Sequence, residues 1–259
     1  MRSLTVIVPV LNESVLLPEF LEKTTSDLAR AHIDYELILV NDGSSDDSLA
    51  IMQRFASGEP RIRVLDLPRN LGPGGNLHRA YALATKELAC YATVDGFYDT
   101  ALLPELLTWF DQGYDAVSAY RTDLSAHAPT RRVQTLLNVG LQRVLFPYRF
   151  RAYHTLQIHR TDFVQGIELE SCTPFLCSEL LFKATELGLR IKEVGIPYLP
   201  RKAGKATGGN PRLILRHLAD VLRFWTRWFV LRRPMLRPGF HLEPWSTSQI
   251  EPVLSHGEA

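Results

Sequence analysis

The chain has 259 residues, of which 46% are hydrophobic and 22% are charged. Its 29 lysines and arginines nearly balance its 28 aspartates and glutamates, which leaves a formal net charge of +1. This ordinary globular composition excludes a disordered chain, a collagen-like repeat and a disulfide scaffold. Near-neutral charge also argues against a dedicated nucleic-acid binder, because phosphate contacts require a basic excess.

The cysteines and the apolar runs set further limits. Cys90, Cys172 and Cys177 form no CxxC pair and no metal-ligand spacing with nearby histidines, so we predict reduced packing residues. The first apolar run is too short for a signal peptide and lacks a small-residue cleavage site. No run of about 18 apolar residues is free of charge, so no transmembrane helix is predicted.

Short β-branched runs alternate with helical patterns over the first half of the chain. In chain order we predict strand 4–10, helix 15–31, strand 35–40, helix 46–55, strand 62–67, helix 74–84, strand 88–94, helix 101–110 and strand 116–120. Ser44 or Ser45 is predicted to cap helix 46–55, and Gly113 to end helix 101–110. Such βαβ alternation predicts an α/β fold with a mostly parallel sheet and helices on both faces.

The alternation weakens beyond residue 120. There we predict helix 130–145, strand 155–159, helix 178–187 ended by Gly188, strand 190–194 and a basic loop at 201–209. The stretch after Pro234 has little periodicity and is predicted to be a tail. The predicted organisation is therefore a main domain at 1–210, an amphipathic helix at 211–233 and a tail at 234–259.

Polar residues follow four of the predicted strands. They read VPVLNE at 8–13, VNDGS at 40–44, DLPRN at 66–70 and VDG at 94–96. Each could serve only as a turn or a cap. Because ligands of such sheets bind beyond the carboxyl ends of the strands, four polar ends together favour a nucleotide-sized site. The absence of a Walker A sequence and of GxGxxG after the first strand argues against an NTPase or dinucleotide enzyme.

Several of these motifs, in this order, resemble family 2 glycosyltransferases of the GT-A (Rossmann-like) fold. The similarity is greatest to polyprenyl-phosphate sugar synthases related to dolichyl-phosphate mannose synthase, and it covers residues 4 to 205. The motifs that carry the resemblance are VIVPVLNE, LVNDGSSDDS, RNLGPGGN, AYR at 119–121 and SELLFKATELGLRIKEVGIPYLPRKAGKA.

The resemblance implies a nucleotide-sugar site at the first strand ends. Asp42 would contact the base or ribose, and Gly43 would keep bulk away from the ligand. The implied pocket and diphosphate residues are Pro9, Asn12, Glu13, Asp42, Asn70 and Gly72.

Relatives carry an Asp-X-Asp motif at the fourth strand end, where two carboxylates hold Mg²⁺ or Mn²⁺ against the diphosphate. This chain instead has Asp95 followed four residues later by Asp99, as if two residues, including the second aspartate, were deleted. The resemblance therefore implies metal binding and catalytic roles for Asp95 and Asp99. An equal alternative is that Asp99 only caps the following helix.

The general base of the relatives also differs here. Arg151 stands where they commonly carry an acidic residue. A lipid-phosphate acceptor is already anionic and needs little proton abstraction. Alternatively, His154 or Glu179 could act as the base, or the chain no longer catalyses transfer. Glu179 is our candidate catalytic residue near the acceptor.

Cationic residues match in type those that relatives place around phosphates, and arginine suits bidentate phosphate contact. The basic loop at 201–209 could fold over the donor. The implied phosphate or acceptor contacts are Arg121, Arg131, Arg132, Arg201 and Lys205.

The segment 212–231 is strongly amphipathic when drawn as a helix. Its charged sector holds Arg212, Arg216, Asp220, Arg223 and Arg227, and its apolar sector holds Ile214, Leu218, Val221, Leu222, Trp225, Trp228 and Phe229. One interpretation is a helix that lies in a membrane interface, with tryptophans inserted and arginines at anionic headgroups. The other is a helix packed against the main domain or a dimer partner.

We therefore expect an inverting glycosyltransferase that uses a nucleotide-sugar donor and an acceptor such as polyprenyl phosphate. We place it in the cytoplasm or peripherally on the inner face of a membrane, with a homo-oligomer left open. Two alternatives stand beside this reading. One is a catalytically silent relative that binds a nucleotide-sugar or a partner enzyme, and the other is a soluble transferase acting on a small acceptor.

Overall fold

The computed structural model describes residues 2–95, 98–122, 129–197, 211–234 and 236–242, with the backbone alone at 129–135 and 211. The predicted basic loop at 201–209 lies outside these residues. The strands are β1 (Leu4–Val10), β2 (Tyr35–Asn41), β3 (Ile62–Asp66), β4 (Leu88–Tyr91), β5 (Ala116–Arg121), β6 (Gln157–Arg160) and β7 (Ile191–Ile196). The helices are α1 (Leu17–Arg30), α2 (Ser48–Gly58), α3 (Gly72–Tyr81), α4 (Leu103–Asp111), α5 (Pro129–Leu145), α6 (Thr161–Gly166), α7 (Leu176–Glu186) and α8 (Pro211–Trp225).

One seven-stranded sheet runs in the order β3-β2-β1-β4-β6-β5-β7. Strands β1 to β4 are parallel to their neighbours in this set, and only β6 pairs antiparallel, with β4 on one side and β5 on the other. The predicted mostly parallel α/β sheet is confirmed. The carboxyl ends of β1 to β4 therefore meet along one edge of the sheet.

The alternation of β1 explains why helices cover both faces. Val6 and Val8 pack into a core with α1, α2 and α4, whereas Ile7 packs into a second core with α3, α6 and α7. Adjacent strand residues point to opposite faces, so each face receives its own row of apolar side chains. A third, aromatic cluster joins α7 to α8 through Phe146, Phe182 and Phe224.

Several predicted boundaries differ from the structure. Strand β4 ends at Tyr91 rather than residue 94, and α6 was not predicted. The predicted caps Ser44 and Ser45 are wrong, because α2 begins only at Ser48. The predicted helix ends are confirmed: Gly113 and Gly188 follow α4 and α7 and take the positive φ angles of 80° and 73° that favour glycine.

The C-terminal stretch does not leave the domain at Pro234. Leu236 forms a bridge with Ile167, and the Arg237 amide donates to the Gly166 carbonyl at 2.9 Å. Phe240 covers Gly166 so closely that an added Cβ there would lie 2.0 Å from its ring. The predicted tail therefore packs against α6 up to residue 242, and residues 243–259 lie outside the described part of the chain.

The predicted helix at the C-terminus is confirmed as α8, which continues as a π-helical turn over Thr226–Val230. Its charged residues do not all face outward as one sector. Asp220 accepts hydrogen bonds from the amides of Cys172 and Thr173, both at 3.1 Å. Arg227 pairs with Glu170, and Trp228 stacks on Phe224 at 5.2 Å. The helix is therefore anchored to the domain by polar contacts that its amphipathic pattern did not indicate.

A buried ionic cluster completes this anchor. The Lys183 ammonium lies 2.8 Å from Glu179 and 3.8 Å from Glu170, and these three side chains are 1%, 0% and 8% exposed. Arg227 supplies the second positive charge, and the Trp228 ring lies 4.9 Å from the Lys183 nitrogen. Two cations thus face two carboxylates, which is the balance that buried charges require.

Replacing Lys183 should destabilise the fold. We expect Lys183→Met to lower the free energy of unfolding by about 3–5 kcal/mol, because it leaves the fully buried Glu179 carboxylate without its cation. The control is Lys86→Met, which removes an exposed pair with Asp34 and should cost about 0–1 kcal/mol. Urea unfolding of both variants gives the comparison, and equal losses would show that the buried cluster contributes no more than a surface pair.

Candidate functional site

The loops after β1 and β2 are joined by hydrogen bonds at the edge of the sheet. The Asn12 side-chain oxygen accepts from the Ser45 amide at 2.8 Å, while the Asn12 amide donates to the Ser44 hydroxyl at 3.1 Å. The Glu13 amide donates to the Ser48 hydroxyl at 3.0 Å. The structure therefore brings Asn12 and Glu13 beside the NDGS turn, as the sequence predicted from the parallel strand ends.

Asp46 contributes to the same junction, although the sequence analysis did not single it out. Its carboxylate accepts from the Ser14 amide at 3.1 Å and the Ser48 amide at 3.0 Å. Burial raises the pKa of Asp46, but the hydrogen bonds from Ser48 and Ser14 outweigh it and lower the pKa to about 2. The acidic residue two positions before a helix start was the signal that could have identified this role.

Asp42, the predicted base or ribose contact, bonds to the start of α3. It is 3% exposed, and its two oxygens accept from the Leu71 amide at 2.7 Å and the Asn76 side chain at 3.2 Å. Burial raises the pKa of this carboxyl above its ordinary value, despite these hydrogen bonds. Its contact with a nucleoside stays a prediction, and its observed role is to fix α3 against β2.

Glycines allow the loops to approach closely. At Gly43 the φ angle is +76°, and an added Cβ would lie 2.9 Å from the Asn70 amide nitrogen. At Gly74 an added Cβ would lie 2.4 Å from the Ser171 carbonyl oxygen. Side chains at either position would separate the NDGS turn, the start of α3 and the loop at 170–173.

The first amides of α3 are largely occupied. The Gly72 amide donates to the Asn70 side chain at 2.8 Å, and the Gly74 amide donates to the Cys172 carbonyl at 3.1 Å. Pro73 has no amide hydrogen. Asn70 and Gly72 lie at the predicted edge of the site, but the amides at this helix start already have protein acceptors, so their diphosphate contact stays a prediction.

Asp95 lies just beyond β4, half-buried, and accepts a hydrogen bond from the Thr93 hydroxyl. Gly96 and Phe97 lie outside the described residues. Asp99 caps the short helical turn Thr100–Leu102, where it accepts from the Ala101 amide at 3.0 Å. The capping alternative for Asp99 is therefore confirmed.

Asp99 also binds a cation of the protein itself. The Lys23 ammonium lies 2.7 Å from Asp99 and 2.5 Å from Asp27. Burial raises the pKa of Asp99, but the Lys23 contact outweighs it and lowers the pKa below the ordinary value. A metal ion at Asp99 would have to compete with Lys23 for this carboxylate.

The described side chains could hold a metal ion only together with a bound ligand. Among the described residues, no three histidines, cysteines, aspartates or glutamates gather into a metal-binding group. Asp95 lies just beyond β4, at the position where the resemblance implies a metal-ligating carboxylate. Because Mg²⁺ is commonly held by one or two carboxylates together with substrate phosphates and waters, Asp95 fits a cation that the donor diphosphate completes.

Glu179, the predicted catalytic residue and alternative base, is fully buried. Its two oxygens accept from the amides of Glu170 and Ser171, both at 2.9 Å, and it pairs with Lys183. This geometry makes Glu179 the residue that shapes the loop at 170–173. The sequence did not indicate this role, because these partners are set by the tertiary fold.

His154, the alternative base, has both ring nitrogens engaged. Its Nδ1 lies 2.9 Å from the Pro174 carbonyl, and its Nε2 lies 2.8 Å from the Asn138 side-chain nitrogen. Burial, with the neighbouring His217, lowers the pKa of His154 to about 3. The neutral ring that donates to Pro174 and accepts from Asn138 is therefore a packing element.

The predicted phosphate residues are only partly described. Arg121 ends β5, next to Tyr120, whose ring lies 4.7 Å from the guanidinium of Arg151. Arg131 and Arg132 lie on α5, and their side chains are outside the description. Arg201 and Lys205 lie outside the described residues altogether, as does most of the segment that would close over a donor.

The cysteines form no disulfide. Cys90 and Cys177 are buried, as packing residues should be, whereas Cys172 is exposed. Burial raises the pKa of the Cys90 thiol to about 12 and that of the Cys177 thiol to about 11. These two thiols are therefore protonated and inert at neutral pH.

Comparison with known proteins supports the resemblance. The model of the glycosyl transferase family 2 matches residues 5–176. An uncharacterized glycosyltransferase of Mycobacterium tuberculosis H37Rv is 27% identical over 86% of this chain and 96% of its own length. An undecaprenyl-phosphate 4-deoxy-4-formamido-L-arabinose transferase of Pseudomonas savastanoi pv. phaseolicola is 30% identical over 55% of this chain. That match spans 42% of the transferase, so the chain corresponds to less than half of it.

Solved structures show the same fold. Glucosyl-3-phosphoglycerate synthase from Mycobacterium tuberculosis, crystallised with Mn²⁺, UDP-glucose and phosphoglyceric acid, superposes with a TM-score of 0.67. It is 20% identical, and the match covers 86% of this chain and 80% of that one. The predicted GT-A fold is confirmed. With its parallel strand ends joined at one edge and two thirds of its length matched by the family model, the chain belongs to glycosyl transferase family 2.

Proposed function

We propose that this chain transfers a sugar from a nucleotide-sugar donor to a polyprenyl phosphate, with inversion at the anomeric carbon. The observation that carries the proposal is the single edge where the ends of β1, β2 and β4 place Asn12, Glu13 and Asp95 within a family 2 fold. Ligands of parallel sheets bind at such an edge. The similarity to an undecaprenyl-phosphate transferase supports the class of acceptor.

The donor would lie along the joined loops. Pro9, Asn12 and Glu13 would line the nucleoside pocket, and Asp95 would hold Mg²⁺ or Mn²⁺ against the diphosphate. Bound there, the cation would offset the negative charge that develops on the leaving group. The support is that a structural neighbour was crystallised with Mn²⁺ and UDP-glucose, and that Lys23 already pairs with Asp99.

The acceptor is inferred from the lack of a base among the described candidates. His154 and Glu179 are engaged in hydrogen bonds within the fold, and Arg151 stands where relatives commonly carry the acidic residue that acts as general base. A phosphate oxygen is already anionic near neutral pH, since its second pKa is about 6. It can attack the anomeric carbon opposite the leaving diphosphate without giving up a proton to the protein, and a single such displacement inverts the configuration.

The lipid nature of this acceptor would place the reaction at a membrane surface, and the inner, cytoplasmic face remains our proposed location. None of the described helices is both long enough and apolar enough to cross a bilayer. The alternative of a silent nucleotide-sugar binder rests on Asp99, whose engagement with Lys23 leaves one carboxylate where relatives have two.

In our proposal Asp95 holds the cation and Asp99 only caps the following helical turn, and a pair of variants tests this difference. We expect Asp95→Asn to lower kcat by about 10²- to 10³-fold, the cost of losing one preorganised electrostatic contact. Asp99→Asn keeps a capping side chain and loses one part-exposed ion pair, about 0–1 kcal/mol of stability, so its kcat should change little. Radiolabelled sugar transfer to a short-chain polyprenyl phosphate at saturating Mg²⁺ or Mn²⁺ gives the measurement.

The two assignments can fail separately. Equal losses in both variants would place Asp99 in the cation site with Asp95. Calorimetric binding of a nucleotide-sugar without transfer to either a polyprenyl phosphate or a small acceptor would favour the silent binder. Transfer to a small acceptor alone would contradict the lipid phosphate.

The pH profile tests the absence of a protein base. If the acceptor phosphate itself attacks, kcat/KM should fall only as pH drops through about 6, where the phosphate gains its second proton, and should stay level up to about pH 8. His154→Gln should keep the same apparent pKa, because a ring whose pKa is about 3 is already neutral over this range. An apparent pKa that belongs to the enzyme and vanishes in His154→Gln would overturn the proposal that no protein base is needed.

A further inference from the structure

The outer side of α8 carries a row of exposed apolar side chains. Leu215, Leu218 and Leu222 are 66%, 37% and 53% exposed. Their spacing of three and four residues places them on one stripe of the helix. At 1.5 Å per residue, the stripe from 215 to 222 is about 11 Å long.

This stripe is separate from the face that packs on the domain. The inward face holds His217, Val221 and Phe224, with Asp220 bonded to the loop at 170–173 and Arg227 to Glu170. At about 100° per residue, the stripe is centred roughly a third of a turn away from these side chains. Folding therefore does not cover the stripe, and its exposure is not explained by the contacts that anchor α8.

A third, basic stripe borders the apolar one. Arg212, Arg216 and Arg223 are exposed along the same helix, and Arg232 and Arg233 are exposed just after it. The sequence of α8 and its π-helical turn has a single carboxylate, Asp220, whose Oδ2 accepts from the domain. The outward half of α8 is thus apolar on one side and basic on the other.

The neighbouring helix extends this surface. The Asn138 side chain of α5 bonds to His217 of α8 at 2.9 Å, so the two helices lie side by side. Leu136 and Leu137, within one turn of that contact, are 69% and 68% exposed. The sequence of α5 has three arginines and no acidic residue.

We propose that the outward face of α8, flanked by α5, docks flat on the surface of an anionic lipid bilayer. Leucines would enter the headgroup boundary, and the arginine stripe would contact lipid phosphates. This assigns insertion to Leu215, Leu218 and Leu222. It removes from the lipid face predicted by the helical wheel Phe229, whose ring lies 5.7 Å from that of Phe146, and Trp228 and Arg227, which contact Glu170.

The arginines of α8 indicate whether its outward face binds a bilayer or a second copy of the chain. A symmetric dimer through α8 would bring two arginine stripes to one interface, where the helix has no exposed carboxylate to pair with them. An anionic bilayer supplies phosphate charge along the whole stripe and apolar volume beside it. The arrangement of the two stripes therefore favours lipid as the occupant.

The experiment is flotation of the full chain with large unilamellar vesicles, without donor or acceptor. Vesicles of phosphatidylcholine with about a third phosphatidylglycerol should bind the protein, and pure phosphatidylcholine should bind it far less, with the difference falling at high salt. Leu218→Ser should weaken binding several-fold. Its matched control, Leu83→Ser, alters a leucine of equal exposure outside α8, 38% against 37%, and should bind as the unaltered chain does.

The basic stripe is tested by Arg216→Gln with Arg223→Gln, which should reduce the preference for phosphatidylglycerol while leaving circular dichroism and the unfolding midpoint unchanged. Equal binding by the leucine, arginine and control variants would overturn the proposal. So would a concentration-dependent dimer, seen by analytical ultracentrifugation, that Leu218→Ser abolishes. Because no reaction is measured, failure here leaves the proposed transfer standing, and loss of transfer leaves the docking result standing.

Discussion

Parallel pairing of β1 with β2 and β4 is the constraint on which the site depends. The register sets Pro9 opposite Val40 and Val10 opposite Asn41, so β1 and β2 end at the same level of the sheet. The Asp42 amide then donates to the Val10 carbonyl at 2.9 Å, which carries the pairing into the loops. An antiparallel neighbour would have sent one of these loops to the opposite edge and left no shared site.

Most acidic side chains around this edge serve the fold. Asp42 binds α3, Asp46 binds the loop after β1, Asp99 binds Lys23, and Glu179 binds the loop at 170–173. Asp42 and Glu179 are buried, and buried carboxylates are retained where amides or cations compensate them. The more exposed Asp46 and Asp99 have such partners as well. Our proposal gives the chemistry of the site to Asp95 because of its position just beyond β4.

The elements were predictable where one local pattern determined them. Strand β1 matched its predicted bounds because its apolar residues are bracketed by the polar ends of the run, and Gly113 and Gly188 supply the left-handed backbone that ends a helix. The partners of Glu179 could not be predicted, since the amides of Glu170 and Ser171 come from an irregular loop. A helical wheel likewise divides a helix into an apolar and a charged face, whereas α8 has an inward, an apolar and a basic face. The inward face includes Asp220 and Arg227 because they bond to a loop that is distant in the sequence.

The loop at 170–173 links α8 to the edge of the sheet. Its Cys172 amide donates to Asp220 of α8, and its Cys172 carbonyl accepts from the Gly74 amide of α3. Because α3 in turn donates to Asp42 through the Leu71 amide, an unbroken series of hydrogen bonds runs from the helix to the NDGS turn. Under the proposed docking, a bilayer that held α8 would also hold, through these contacts, the loops proposed to receive the donor. The distance between the lipid surface and the site would then be set by the fold of the domain.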